Sequence, residues 1–243
     1  MVCIINYFIF ATNLNSYFME TRFSEKESLE LIGQMISTAK NNLQKGMGSI
    51  FLLWGYLVAG ISLVTFILLL TLTGEARYNA FWLWFLMAAG YPLHYRLIRK
   101  REAEMPVTTY IDKVMNWVWI AFAASIMVVV VGMLAATLRI SLVNPVLEPR
   151  YEFFRWFHWL LMTPVMLCLY GFALFVSGKA YSFKPLVTGG VVCWFAALLL
   201  LVTVHSPRAM ELQQIVLCLS VIAGYVIPGH LLNKKDHEDV QGS

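Results

Sequence analysis

Uncharged apolar runs separated by short polar stretches dominate this chain. Ile50 to Leu72 offers about 23 residues without a charge, enough to cross a hydrocarbon core of about 30 Å as an α-helix. A polar turn, Thr73 to Asn79, leads to a shorter run, Ala80 to Tyr95, with Phe81, Trp82, Trp84 and Phe85 at its start. These rings fit the membrane–water interface. Pro92 breaks this run near its exit, and Arg96, Arg99, Lys100 and Arg101 follow at once. Four further runs, Trp117 to Leu138, Phe157 to Val176, Pro185 to Val204 and Leu212 to Leu232, complete the set. The third run is preceded by an interfacial helical start, Thr108 to Asn116, and a polar, mobile tail follows Leu232. The pattern predicts an all-α, polytopic integral membrane protein with a six-helix bundle over residues 50–232 and a tail at 233–243.

The polar segment before the first run has a different period. Ser24 and Glu27 form a capping box, satisfying free backbone N–H groups at a helix start. Leu29, Ile32, Ile36, Ala39 and Leu43 then recur at intervals of three and four, drawing one apolar stripe. Glutamates sit early and Lys40 and Lys45 late, which complements the helix dipole, and Gly46 supplies a stop. An amphipathic cytoplasmic helix is therefore expected over 24–45. Residues 1–18 read as a start-site artefact, with translation beginning at Met19. The competing reading is a short interfacial anchor.

Composition fits lipid as the main solvent: 59% of the 243 residues are hydrophobic and 13% charged, about half the usual charged share. Mean hydropathy is +0.68. The net charge of +4 comes from basic residues at the edges of apolar runs, with no basic patch interleaved with aromatics, so nucleic acid is not an expected partner. Thirteen of the eighteen Lys and Arg fall on segments that share a side with the N-terminus, and five on the opposite loops. By the positive-inside rule both termini are cytoplasmic.

The residues that could carry chemistry are few. The first, third and fifth runs contain no Asp, Glu, Lys, Arg or His, which counts against an ion-coupled pump but not against a facilitator for a neutral solute. His158 and His205, with Glu152 and Glu211 nearby in sequence, lie near the outer face. His94 and His230 lie near the inner face, beside Asp236, His237, Glu238 and Asp239. His158, His205 and Glu152 are the candidate metal or acid–base set, although no close ligand spacing is present. The bland alternative is a set of interfacial histidines solvated at headgroup level. Pro164 and Pro228 are candidate kinks that free carbonyls, a role that competes with plain packing. Small residues (Gly55, Ala59 and Gly60; Ala121, Ala124 and Ser125; Gly189 and Gly190) allow close helix approach. Cys3, Cys168, Cys193 and Cys218 show no pairing signature. No nucleophile elbow, P-loop or dinucleotide fingerprint occurs, so no cofactor or catalytic residue is expected.

The segments SLELIGQMI, LLWGYLV, WLWFL and TYIDKV together resemble a group of uncharacterised bacterial inner-membrane proteins, over roughly residues 25 to 135. The resemblance implies a bacterial inner-membrane location and a six-helix bundle, and no activity. Three functions are compatible with these readings. The leading one is an interaction or regulatory module that docks a partner, or a second copy, through Leu29, Ile32, Ile36 and Leu43. The others are a facilitator of a small neutral solute and an enzyme acting on an apolar substrate at the outer face.

Overall fold

The computed structural model describes residues 29–30, 33, 46–74, 76–104, 110–143 and 158–241. The chain divides into two units, Met1–Asn42 and Leu43–Ser243. Of the first, Leu29, Glu30 and Gly33 are described, helical and exposed. The second holds the membrane bundle.

Its elements are helices throughout the described residues: α1 (Met47–Thr71), α2 (Met87–Glu104), α3 (Tyr110–Val143), α4 (Met162–Ala180), α5 (Lys184–Val202), α6 (Ala209–Val221) and α7 (Ile227–Gln241). A short turn, Ala76–Asn79, and a 3-10 helix, Ala80–Leu86, lead into α2, and a π-helix, Ile222–Val226, joins α6 to α7. In lipid each backbone polar group must be satisfied inside its own segment, so apolar runs of this length become helices. Among the described residues five helices are long and apolar enough to cross a membrane: Met47–Thr71, Tyr110–Arg139, His158–Ala180, Lys184–Val202 and Ala209–Lys234.

α1 is central. It packs against α2 on one side and against α6, the π-helix and α7 on the other, while α4 and α5 form the closest helix pair. Glycines set the close crossings. A Cβ added to Gly190 would lie 2.7 Å from Gly171 O, and one added to Gly189 would lie 2.6 Å from Gly224 Cα. Small residues at such points let backbones approach where a side chain would hold them apart. Gly46 has φ 73° and caps the start of α1. An aromatic cluster fills the centre, with the rings of Phe51, Trp119 and Tyr170 at 5.4–6.4 Å from Tyr225 by centroid. α3 is peripheral, and none of its most apolar 18 residues is buried.

Several boundaries differ from the sequence reading. Pro92 does not end its helix. α2 continues through it to Glu104, because a proline removes one backbone bond while the turns on either side persist. The run preceding it is 3-10 rather than α. The expected interfacial start before the third run is part of one continuous helix from Tyr110. The polar tail is helical to Gln241, since no Gly or Pro occurs between Gly229 and Gly242 to stop it. Pro164 sits in the first turn of α4, where proline is tolerated. Gly60 has open space around it, and Ala121 and Ala124 are exposed, so these three do not mediate close packing among the described residues.

A buried polar seam between two helices

α1 and the α6–α7 helix run antiparallel. Gly48 meets Gly229 and Asn233, and Gly55 meets Tyr225 and Val226. Carried on along α1, this register sets Thr65 level with Gln214 and Ser62 about one turn nearer the centre. The far end closes with an ion pair in which Arg77 donates to Glu211.

Every one of these side chains on α1 and α6 is buried. Ser62 and Thr65 are 0% exposed and Gln214 is 3% exposed. Ser62 Oγ, Thr65 Oγ1, Gln214 Oε1, Glu211 Oε2 and Arg77 Nε have no hydrogen-bond partner. Ser177 Oγ, Tyr225 Oη and Trp119 Nε1, at other places in the bundle, are buried without a partner too, but five further hydroxyls behave differently. Those of Ser125, Thr137, Thr188, Thr203 and Ser220 donate to the carbonyl four residues earlier, the usual solution for Ser and Thr in a membrane helix. Ser62 and Thr65 could make the same local bond and do not. A buried polar atom without a partner costs about 1–3 kcal/mol, so a cluster of them marks a place where another molecule can supply the missing partners. The set combines hydroxyls that donate and accept, amide and carboxylate oxygens that accept, and one guanidinium N–H that donates. Its two charges balance each other.

Beside the seam, α4 and α6 share a satisfied network. Pro164 has no N–H to offer the carbonyl of Leu160, and Gln213 Nε2 donates to that carbonyl at 2.6 Å. Thr163 Oγ1 in turn donates to Gln213 Oε1 at 3.2 Å. Pro164 thus leaves a carbonyl free, and a side chain from α6 takes it up. Pro228 follows the π-helix and is fully buried.

The opposite end of the bundle has its own polar groups. Arg101 donates to Asp112 at 3.1 Å. Burial pushes the nearby Tyr181 phenol up to about 12, the Asp112 carboxylate adding to the rise. Trp54 Nε1 donates to His94 Nδ1 at 3.1 Å, and Tyr56 Oη lies 2.6 Å from His230 Nε2.

The histidines expected from the sequence are therefore spread out. His158 bonds Thr137 Oγ1 at 2.8 Å, and the same hydroxyl accepts from Trp159 Nε1. His205 is exposed in the turn between α5 and α6. Glu152 lies outside the described residues, as do Ile32, Ile36 and Leu43 of the docking stripe. Among the described residues no three His, Cys, Asp or Glu side chains gather as a metal site. The free thiols Cys193 and Cys218 are buried and Cys168 is exposed. Sequence reasoning passed over Ser62, Thr65, Gln213 and Gln214, and it placed Glu211 only as a neighbour of His205. The signal was present: a hydroxyl pair spaced by three inside an apolar run, and Glu-x-Gln-Gln at the start of another. No family model matches the chain, and neither a curated protein nor a solved structure is similar to it.

Proposed function

We propose that this protein is a membrane facilitator whose bundle holds a small neutral polar solute in the seam between α1 and α6. The observation that carries the reading is the row of buried, unpartnered polar atoms at Ser62, Thr65, Gln214, Glu211 and Arg77. Such a row suits a molecule with both donors and acceptors and no net charge, because the ion pair already neutralises the only charges present. The test is flux of small polyols and amides into proteoliposomes, followed by light scattering. Wild type should exceed protein-free vesicles. Thr65→Val and Gln214→Leu should each lower the rate by about fivefold, the effect of losing about 1 kcal/mol of hydrogen bonding. Vesicles that stay as tight as protein-free controls across the panel would remove the reading.

In the same proposal the protein lies in a bacterial inner membrane with six crossings and both termini cytoplasmic. The sixth crossing is the 3-10 helix with α2. It returns alongside α1 over nearly its whole length: Leu68 and Leu72 line one groove with Trp82 and Leu86, Trp54 meets Tyr91 and His94, and Arg101 reaches Gly46.

A second reading, docking of a protein partner through the 24–45 helix, is favoured by Leu29, which is helical and 69% exposed. Co-purification from native membranes checks it. An associated protein present with wild type and absent from Ile32→Lys/Ile36→Lys supports docking, and an unchanged set of proteins excludes it.

A further inference from the structure

The outward face of α1, opposite the seam, forms the floor of a groove of about 590 Å³, within the range of roughly 300–1,000 Å³ for small-ligand sites. Leu52, Leu53 and Leu57 on α1 and Leu93 and Leu97 on α2 make its apolar lining. Its polar groups are Ser49 and Tyr56, four residues before and three after Leu53 and so on the same helix face.

Next to the groove, α7 approaches α1 backbone to backbone. A Cβ on Gly229 would lie 2.9 Å from Leu52 Cγ and 3.1 Å from Gly48 O, so the bare glycine brings α7 onto α1. The next residue, His230, thereby reaches the Tyr56 hydroxyl at 2.6 Å. This pair is exposed to the groove side, with Tyr56 56% accessible. Basic residues follow on α2 and α7 toward the Gly46–Arg101 end of the bundle. Arg96 and Lys100 follow Leu93 at three and seven residues on α2, and Lys234 follows His230 at four on α7. All three are exposed.

The groove therefore sets leucines beside a tyrosine–histidine pair, with cations on α2 and α7 toward the Gly46–Arg101 end. The geometry points to a specific binding site for one anionic phospholipid, with an acyl chain against Leu53, Leu57 and Leu93, the Tyr56–His230 pair at its flank, and the headgroup among Arg96, Lys100 and Lys234. Cations near the headgroup layer attract anionic lipid, so a site with three of them discriminates by headgroup charge. The inference is independent of the solute seam, which lies on the other face of α1.

The experiment uses the full-length protein reconstituted in bilayers of phosphatidylglycerol and phosphatidylcholine in equal amounts, extracted in mild detergent and examined by native mass spectrometry. Wild type should retain phosphatidylglycerol over phosphatidylcholine by about tenfold or more. The Arg96→Gln/Lys100→Gln/Lys234→Gln variant should still carry lipid, with the ratio near one. Leu93→Trp, which fills the groove, should lower retention of both. Equal retention by wild type, or a preference that the triple variant leaves unmoved, overturns the assignment. A photoreactive amino acid in place of Leu93 gives a readout that does not depend on the folding of the tryptophan variant. A phospholipid adduct supports the site, and an adduct to a protein segment, from this chain or a second copy, overturns it.

Discussion

The carbonyl of Leu160 shows how one residue's chemistry is settled by another far along the chain. Pro164 cannot donate to it, and Gln213, 53 residues away, does. A double-mutant cycle should expose this dependence. Gln213→Leu is expected to destabilise the wild type by about 1 kcal/mol, the usual scale for side-chain hydrogen bonds in membrane bundles. In a Pro164→Ala background it should cost little, because the alanine N–H can then satisfy the carbonyl. Thermal unfolding in detergent measures both arms, and equal costs in the two backgrounds would show that the bond carries no coupling. Half of this relation was legible in the sequence: a proline in an apolar run announces an unpaired carbonyl. The glutamine could not be matched to it, because nothing local links residues in different helices. The same holds for Ser62 and Thr65, whose lack of the ordinary backward bond is a fact of packing rather than of composition.

At the scale of elements, hydropathy located the membrane runs and glycine chemistry decides how they meet. Gly189 and Gly60 look alike in sequence, yet a Cβ would lie 2.6 Å from backbone at the first and find nothing within 4 Å at the second. Gly189→Ala should therefore cost about 1–3 kcal/mol through overpacking, whereas Gly60→Ala should be neutral or stabilise by up to about 1 kcal/mol through helix propensity. Chemical denaturation of the two variants separates them. Similar losses at both sites would mean that the α5–π-helix crossing is looser than its geometry implies. Helix ends were the least legible feature. Pro92 and the charged tail look like terminators, but a helix ends only when several turns lose their bonds. One missing N–H in α2, or a run of polar residues in α7 with no glycine, is not enough.

For the whole molecule, the arrangement of the two ends makes topology testable. Gly46, Arg101 and Asn233 gather at one end, through the contacts of Gly46 and Gly48, while Arg77 and Glu211 meet at the other. Six crossings place both termini on one side, whereas five would separate them. Single cysteines in a cysteine-free background, probed with an impermeant maleimide in right-side-out vesicles, decide the matter. Thr73→Cys and Ser206→Cys should label from outside, and Glu102→Cys and Lys184→Cys should label only after the vesicles are opened. If Thr73→Cys and Glu102→Cys label from the same side, the 76–104 element does not cross.

The 3-10 stretch gives that element a property its composition conceals. Residues 80–95 wound wholly as α-helix would reach about 24 Å. With seven residues drawn out at about 2.0 Å each, they reach about 27–28 Å. The difference is of the order that separates thin from thick biological bilayers. A segment able to exchange one winding for the other could shorten or lengthen without moving its basic anchor at Arg96–Arg101, carrying Trp82 and Phe85 up or down with the membrane surface. Bilayer thickness would then be an input to this bundle, felt first at its aromatic edge.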